Sequence, residues 1–380
     1  MAVDVVLIVN GRRYSGWKSV RVTRSIESLA GSFALDVSDR WDGALDPWPI
    51  VEEDACRVEI SGQVVIDGFV DKRSLSIDAS SRSLSYSGRD RAAALVDCSA
   101  TVQGATIKST PASPTAEAPD PTRHSGASVK WVYHNVDVAD FLRAMAHPLG
   151  VSVSVQEGMT LRKVSKIDVT PGDKCFETVK RVADAVGVLL VSDGRGGVLV
   201  TRAGNARAAV LQQGFNIKAA SVDYDATERF RLYLISCQVP GTDETSGEET
   251  SVQSSARDLD VKRGSRVILI RPDRGYTTAE ARARADWEAR IRAARAETVS
   301  VTVQGWQQPN GALWPVNALT RVQAPGIGVD GDMLISQVEY SIGDGGQVAK
   351  LNLVRPDAFT PEPTAVVSGS SGWKELAKGV

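Results

Sequence analysis

The chain has 380 residues, more than one ordinary domain holds, and 42% of them are hydrophobic, so several domains with real cores are expected. Its formal net charge is -2. Because phosphate binding needs clustered excess lysine and arginine, this balance argues against a protein whose main partner is nucleic acid. No segment approaches the roughly 20 apolar residues of a membrane helix, so we expect no membrane insertion.

The cysteine spacing and the first residues both indicate a protein that folds in a cytoplasm. Cys56, Cys98, Cys175 and Cys237 lie too far apart in sequence to form a CxxC pair for zinc or redox chemistry. We therefore expect scattered thiols in a reducing compartment. The apolar run Val5–Val9 is too short for a signal sequence and is followed by a predicted Asn-Gly hairpin turn.

Residues 1–98 are predicted to form a first small β-barrel domain. Apolar residues alternate with polar ones in several short runs, as in Val20 and Val22 and again in Val58 and Ile60. Ser61-Gly62 separates two such runs, which is typical of a tight hairpin. Half-buried strands joined by short turns are characteristic of small barrels and sandwiches.

Two segments contain too few hydrophobic residues to form a packed core. Residues 99–130 contain Pro111, Pro114, Pro119 and Pro121 among serine, threonine and alanine, which predicts a Pro-rich loop. Residues 360–380 are predicted to be a mobile tail. We expect mobility within 103–128 and 362–380.

Residues 131–206 are predicted to form an α+β domain. One amphipathic helix is expected near Val138–Leu149, capped by Asp137. A second is expected near Lys174–Val186, capped by Asp173 and ended by Gly187. Two short apolar runs follow and are predicted to pair as a hairpin.

Residues 207–256 and 298–359 are predicted to form a second β-barrel domain, interrupted by a helix-containing insertion at 257–297. The insertion holds the clearest helix of the chain, Thr278–Ala296, with Thr277 or Thr278 as its cap. The predicted fold class is therefore mainly β with α+β parts: two small related β-barrel domains, an α+β domain and a helix-containing insertion.

A weak internal echo is the reason for calling the two barrels related. Val64–Ile66 leads through further apolar residues and a turn to Arg89-Asp90. Met333–Ile335 leads in a similar way to Arg355-Pro356-Asp357. The spacings differ by a few residues, so the sequence alone leaves both a repeat and a chance match open.

The residue patterns indicate no catalytic, cofactor-binding or metal site. The three histidines, His124, His134 and His147, lack the spacing of a metal motif. The glycine-rich Asp193–Gly197 and Asp344–Gly346 lack the Lys-Ser/Thr of a phosphate loop, so hairpin turns are predicted at both. No serine-nucleophile elbow is present.

We interpret the charged clusters of the chain as solvent-exposed surface and not as catalytic or nucleic-acid-binding sites. The adjacent pairs Glu52-Glu53 and Glu248-Glu249 could suggest a glycosidase, but neighbouring loop side chains point apart. The arginines of 278–296 alternate with acidic residues, which favours a solvated helix with i,i+4 ion pairs over a nucleic-acid stripe.

Four ordered motifs resemble the baseplate hub proteins of Mu-like contractile-tail bacteriophages, the late control protein D or tail hub family. The resemblance covers residues 5–359. The first motif is Gly16-Trp17, Arg24 to Phe33 and Asp39-Arg40-Trp41; the others are Gly88-Arg89-Asp90 with Leu95 to Ser99, Val301 to Trp306, and Leu353 to Phe359.

This resemblance implies a structural, non-enzymatic protein of the virion tail baseplate. It implies a homotrimer whose two barrels per chain form a pseudo-sixfold ring joining the tail tube proteins to the trimeric tail spike, beside other baseplate proteins. The family supplies no catalytic residues to transfer. The Pro-rich insertion is a departure from the family pattern, which leaves the role of that loop open.

Three other functions remain open at the level of sequence. A cell-wall-degrading tail-tip enzyme would show activity on peptidoglycan. A glycan- or nucleic-acid-binding module would use exposed tryptophans such as Trp306 and Trp314 for stacking. A hub-like secretion spike component would share the hub architecture, but the chain lacks a long β-helical C-terminal half.

Overall fold

The computed structural model describes residues 5–38, 49–77, 82–100, 131–170, 172–204, 206–238, 251–272, 276–343 and 346–363. The stretch 103–128 and nearly all of the predicted tail lie outside these ranges. The chain divides into two compact units, one within residues 1–224 and 297–359 and the other within residues 225–296 and 360–380.

The first unit begins with seven strands and a short helix: β1 (Val5–Val9), β2 (Arg12–Tyr14), β3 (Ser19–Ser25), β4 (Ser32–Ser38), β5 (Ala55–Ile60), β6 (Gln63–Ile77), β7 (Arg82–Asp90) and α1 (Ala93–Asp97). The predicted turns are confirmed. Asn10 and Gly11 join β1 to β2 with positive φ angles of 51° and 75°, and Ser61 and Gly62 join β5 to β6 with 50° and 75°. Two successive left-handed residues match the twist of a two-residue hairpin.

An α+β domain follows in the same unit: β8 (Trp131–Asp137), α2 (Val138–Ala146), β9 (Ser152–Val155), β10 (Lys163–Val169), α3 (Cys175–Val186), β11 (Leu189–Ser192) and β12 (Gly197–Thr201). Both helices are confirmed, and Asp137 caps α2 by accepting from the amides of Ala139 and Asp140. Gly187 ends α3 with a left-handed φ of 74°.

The predicted Asp173 cap of α3 is wrong. The helix begins at Cys175 with Lys174 as its N-cap, and no side chain caps it. Asp173 therefore lies one residue too early to cap the first turn. Its carbonyl oxygen instead accepts a hydrogen bond from the Ala100 amide at 2.7 Å.

The remaining strands of the first unit are β13 (Ala206–Arg207), β14 (Leu211–Gln212), β15 (Ile217–Tyr224), β19 (Glu297–Gln304), β20 (Ala318–Ala324), β21 (Val329–Gly343) and β22 (Gly346–Val354). The second unit supplies β16 (Leu232–Gln238), β17 (Ser251–Arg257), β18 (Val267–Ile270) and α4 (Thr278–Arg295). Short 3-10 helices span His147–Leu149, Pro325–Ile327 and Pro356–Phe359.

One sheet of 14 strands runs through the first unit in the order β15-β19-β22-β21-β3-β4-β7-β6-β5-β1-β2, with β20 beside β21 and β13 and β14 beside β20. The two regions that were predicted as small related barrel domains are therefore parts of one sheet. The two strand-rich regions join where β3 pairs with β21, and among the described strands no sheet closes on itself. The cause is a shared core, because apolar residues of both regions form one buried cluster.

The two halves of this sheet are nevertheless repeats. Strands β3, β4, β5, β6 and β7 lie side by side in the order β3-β4-β7-β6-β5, and strands β15, β19, β20, β21 and β22 lie in the matching order β15-β19-β22-β21-β20. Both hairpins of the repeat have a strand of 15 residues followed by one of 9. The internal echo thus reflects a common topology.

The structure aligns the two repeats residue by residue, which the similar sequence stretches did not. A bulge follows Val70 in one hairpin and Ile335 in the other. Counting from these bulges, Lys72 corresponds to Gln337 and Ile77 to Ile342. Val64–Ile66 then corresponds to residues 329–331, four residues before the stretch that the sequence comparison had aligned with it.

The second unit has its own sheet, in the order β17-β16-β18, and α4 packs against it. The predicted second barrel had included 207–256, but β16 and β17 pair with each other and β18, and not with the large sheet. The unit is therefore an insertion between the first two strands of the second repeat. Of the two predicted caps, Thr277 is the one that begins α4, and it forms a capping box with Glu280.

The large core predicts a specific mutational outcome. Trp306 is fully buried, and its indole nitrogen donates to the carbonyls of Ser341 at 3.2 Å and Val348 at 2.9 Å. Trp306→Ala should lower the free energy of unfolding by about 3–5 kcal/mol, because it leaves a cavity and removes the two hydrogen bonds that the indole donates. Urea denaturation followed by circular dichroism measures this loss.

The matched control is Phe215→Ala, since the Phe215 side chain is 78% exposed. This change should move stability by less than about 0.5 kcal/mol. Equal losses for the two variants would contradict the assignment of Trp306 to the core.

Candidate functional site

The residues considered for catalysis are scattered in the structure. His134 lies on β8 and His147 at the end of α2, both exposed, and His124 is outside the described ranges. Within the described residues, no group of three or more histidine, cysteine or acidic side chains could hold a metal ion. The same part of the chain has no helix long and apolar enough to span a membrane.

Both glycine-rich stretches connect adjacent strands, as predicted. The Asp193 carboxylate accepts from the amides of Arg195 at 2.7 Å and Gly197 at 2.9 Å, so it fastens the turn between β11 and β12. At the other stretch, β21 and β22 pair as far as Gly343 opposite Gly346.

The predicted charged clusters have ordinary structural partners. Glu52 lies 3.4 Å from Arg73, while Glu248-Glu249 is outside the described ranges. The i,i+4 ion pairs predicted for α4 are confirmed, among them Arg282 with Asp286 at 3.0 Å. The helix is less solvated than predicted, because Glu288 is buried between two arginines.

The two tryptophans proposed for stacking on sugars or bases are buried, so their rings are not accessible to such a ligand. Trp306 is 0% exposed and Trp314 is 2% exposed. The Tyr340 hydroxyl donates to the Trp314 carbonyl at 2.5 Å, and burial raises the pKa of Tyr340 to about 12. These aromatic side chains belong to the core of the second repeat.

The motif residues instead meet at a buried junction between the first repeat and the α+β domain. The Asp90 carboxylate, 1% exposed, accepts from the Gly31 amide at 2.8 Å, the Ala92 amide at 3.1 Å and the Ser192 hydroxyl at 2.5 Å. The Arg24 guanidinium donates to the Ser192 carbonyl at 2.9 Å. We name these five residues the Asp90 junction.

Burial is the largest influence on the Asp90 carboxyl and raises its pKa, whereas the hydrogen bonds from Ser192 and Gly31 oppose that rise. A buried carboxylate is tolerated only when its oxygens are hydrogen-bonded, and here three donors converge on it. A Cβ on Gly31 would lie 2.7 Å from the end of the Ile66 side chain and 3.1 Å from the Asp90 carboxylate, so a larger residue there would require Ile66 to shift. The junction therefore favours a small residue at this motif position.

A second set of motif residues holds α1 against the sheet. Arg89 donates to both oxygens of Asp97, at 3.1 and 2.7 Å, and to Asp71 at 2.7 Å. These hydrogen bonds raise the pKa of Arg89 and lower that of Asp97. A Cβ on Gly88 would lie 2.0 Å from the Phe69 carbonyl, so only glycine fits beside the neighbouring strand.

Exposed apolar side chains mark surfaces that could receive a partner. On the first unit they include Leu75, 48% exposed, and Ile77, 79% exposed, near the end of β6. Tyr224, at the end of β15, is 67% exposed. β15 is the last strand of the large sheet: among the described strands it pairs with β19, and an isolated bridge joins its Ile217 to Gln213.

Sequence reasoning missed the Asp90 junction although its signal was available. Leu84, Tyr86, Gly88 and Asp90 follow the period of two along β7, so the carboxylate falls on the face that points into the core. A carboxylate on a buried face is stable only when several hydrogen-bond donors lie around it. Which donors those are depends on the fold, because Ser192 lies 102 residues away in the chain.

Three protein-family models match the chain in order. Residues 4–90 match the N-terminal domain of Mu phage baseplate assembly protein GpP-like proteins, residues 125–202 the second domain of baseplate hub protein gp44-like proteins, and residues 277–362 the fourth domain of Mu phage baseplate assembly protein GpP. The resemblance predicted from the motifs is confirmed.

Individual proteins match over nearly the whole chain. Baseplate hub protein gp44 of Escherichia phage Mu is 29% identical over 366 residues, which cover 94% of this chain and 89% of the relative. The 43 kDa tail protein of prophage MuSo2 from Shewanella oneidensis is 29% identical, with a TM-score of 0.77 over 95% of this chain and 100% of its own. A tail protein from Neisseria meningitidis MC58, 20% identical, shares the fold with a TM-score of 0.74 over 95% and 99% of the two chains.

The Asp90 junction can be tested by substitution. Asp90→Asn should lower the free energy of unfolding by about 1–3 kcal/mol, because a single amide oxygen cannot accept from three buried donors. Thermal unfolding measures the loss, and a double-mutant cycle with Ser192→Ala should show a coupling of at least about 0.5 kcal/mol.

Asp71→Asn is the matched control, because Asp71 is 38% exposed and its ion pair with Arg89 is open to solvent. It should cost no more than about 1 kcal/mol. Full additivity of the Asp90 and Ser192 substitutions would show that the junction does not act as a unit.

Proposed function

We propose that this chain is a structural baseplate hub protein of a contractile phage tail, of the type found in Mu and Mu-like prophages. The ordered match of three Mu-type baseplate domains carries this proposal. The near full-length match to a baseplate hub protein adds to it. In such a protein the chain works by holding partners together, so we propose that it is not an enzyme.

We further propose that three copies form a ring with six similar positions. A sixfold tail tube and a threefold spike present a symmetry mismatch, since closed rings require matching interfaces around the axis. A chain with two similar halves removes the mismatch, because three copies then offer six near-equivalent surfaces. The repeated strand order of β3–β7 and of β15 with β19–β22 supports this.

The proposed partners follow from this place in the tail. The repeated halves would face the tail tube proteins, and the less repeated parts would meet the trimeric spike and other baseplate proteins. The protein would act in the virion tail baseplate after assembly in the host cytoplasm. The second unit interrupts only the second repeat, so it is one part that can follow threefold symmetry alone.

The alternative functions have less support. The burial of Trp306 and Trp314 removes the stacking surfaces that favoured a glycan-binding module. The matched tail proteins are covered over nearly all of their own length, which favours a hub over a longer secretion spike. A cell-wall-degrading enzyme is the alternative that a direct assay separates.

The purified protein should form a trimer as its concentration rises. Light scattering coupled to size exclusion should give a mass approaching three chains of 40.6 kDa, and electron microscopy of the ring should show six lobes. A persistent dimer or tetramer, or a ring whose lobes are unrelated in density, would contradict the ring.

The protein should release no soluble fragments from purified peptidoglycan, because neither sequence nor site geometry supplies an acid, base or nucleophile set. Zymography and turbidity assays at high protein concentration test this, with lysozyme as the positive control. Turnover that a single point substitution abolishes would overturn the proposal that the chain is purely structural.

A further inference from the structure

Two of the cysteines lie opposite one another across a short strip of antiparallel backbone. Ser99 and Lys174 form an antiparallel β-bridge, so their neighbours Cys98 and Cys175 also face each other. The Cys175 amide donates to the Cys98 carbonyl at 3.1 Å, which confirms this register. The fold therefore brings together two thiols that are far apart in the sequence.

The backbone geometry of this strip suits a disulfide. Residues at hydrogen-bonded positions of an antiparallel pair have Cα atoms roughly 5.5 Å apart, with their side chains on the same face. A disulfide spans Cα distances of about 4.4–6.8 Å. The Ala100 amide donates to the Asp173 carbonyl at 2.7 Å on the other side of the bridge, so backbone hydrogen bonds hold the register.

The two thiols differ in their access to solvent. Cys98 is exposed at the end of α1, whereas Cys175 is 3% exposed at the first residue of α3. Burial raises the pKa of Cys175, and the charge of the nearby Cys98 thiolate raises it further. An oxidant in solution therefore meets Cys98 first, and Cys175 is the thiol that can react with it afterwards.

The other two cysteines are embedded in separate cores. Cys56 belongs to the core of the large sheet, and burial raises its pKa to about 12. Cys237 lies in the core of the second unit, where it accepts from the Tyr276 amide at 3.4 Å. The prediction of scattered thiols therefore applies to these two residues and not to Cys98 and Cys175.

We propose that Cys98 and Cys175 are a disulfide site, kept as two thiols in a reducing compartment and joined when the protein enters oxidising surroundings. The bond would fasten the end of α1 to the start of α3. Because the Arg89–Asp97 contact already holds α1 against the sheet, the bond would tie the first repeat to the α+β domain at a second place beside the Asp90 junction.

The oxidant that fits this pair is a small soluble disulfide such as oxidised glutathione. The Cys98 thiolate attacks one sulfur of the oxidant, which forms a mixed disulfide and releases one glutathione thiolate. Cys175 then loses its proton and attacks the Cys98 sulfur, which releases the second glutathione. Two protein thiols and one glutathione disulfide thus become one protein disulfide and two glutathione thiols.

The first test detects the bond. Incubation of the full chain with excess oxidised glutathione at about pH 8 should remove two of its four thiols, counted after denaturation. After the remaining thiols are blocked, trypsin should release peptide 92–108 joined to peptide 175–180, with a mass lower by two hydrogen atoms than the sum of the two. The double variant Cys56→Ala with Cys237→Ala should give the same linked peptides.

The matched control moves the exposed thiol by one position. Cys98→Ser with Ser99→Cys keeps the composition and the same two tryptic peptides, and both positions are exposed. Successive side chains of extended backbone point to opposite faces, so the new thiol would point away from Cys175. This variant should give about tenfold less linked product.

The second test measures what the bond does. The oxidised protein should unfold at a temperature about 4 °C or more above that of the reduced protein, because the bond closes a long loop in the unfolded chain. Differential scanning calorimetry measures this shift, and dithiothreitol should reverse it. Cys98→Ser should show the same unfolding temperature after either treatment.

The other possible results overturn the inference and leave the hub assignment intact. Glutathione that stays on Cys98 as the end product, or covalent dimers through Cys98 in place of the internal bond, would show that Cys175 does not complete the reaction. Equal linkage in the shifted variant would contradict the register. Identical unfolding temperatures of the linked and reduced proteins would show that the bond does not fasten the two domains.

Discussion

The pairing of β3 with β21 is the interaction on which the rest of the first unit depends. It turns two five-strand repeats into one sheet and places Val22 and Tyr340 in a core that both repeats share. The Ile26 amide extends the joint by donating to the Ser336 carbonyl at 2.9 Å. Without this joint, each repeat would expose an apolar strand edge to water, which is a site for uncontrolled association.

The Asp90 junction is a second constraint, and it acts between domains. A buried carboxylate with three donors has few acceptable geometries, so it fixes the turn after β11 against the first repeat. The cost of burying the charge is offset only in the assembled arrangement. The motif residues Arg24, Gly31 and Asp90 thus contribute to the packing of the two domains against each other.

The two repeats share one strand order and differ where the second unit is inserted after β15. The repeats share backbone topology more than side chains, since Leu75 stands where Tyr340 stands in the sister repeat. The two repeats thus keep one strand arrangement while their edge strands carry different side chains.

The sequence by itself determined the elements whose signals are local. The helices at 138–146 and 278–295, their caps Asp137 and Thr277, and the turns at Asn10-Gly11 and Ser61-Gly62 follow from periodicity and backbone preference. The family resemblance and the mainly β class were also predictable, because the motifs and the alternation of apolar residues are contiguous in the chain.

Only the tertiary structure decided how these elements join. Strand pairing between β3 and β21 links residues more than 300 positions apart, and alternation gives the buried face of a strand but not its neighbour. For the same reason the two expected barrels became one sheet, and β16 and β17 left it for the second unit. Long-range partners depend on which surfaces are complementary in three dimensions, and a single sequence does not encode that locally.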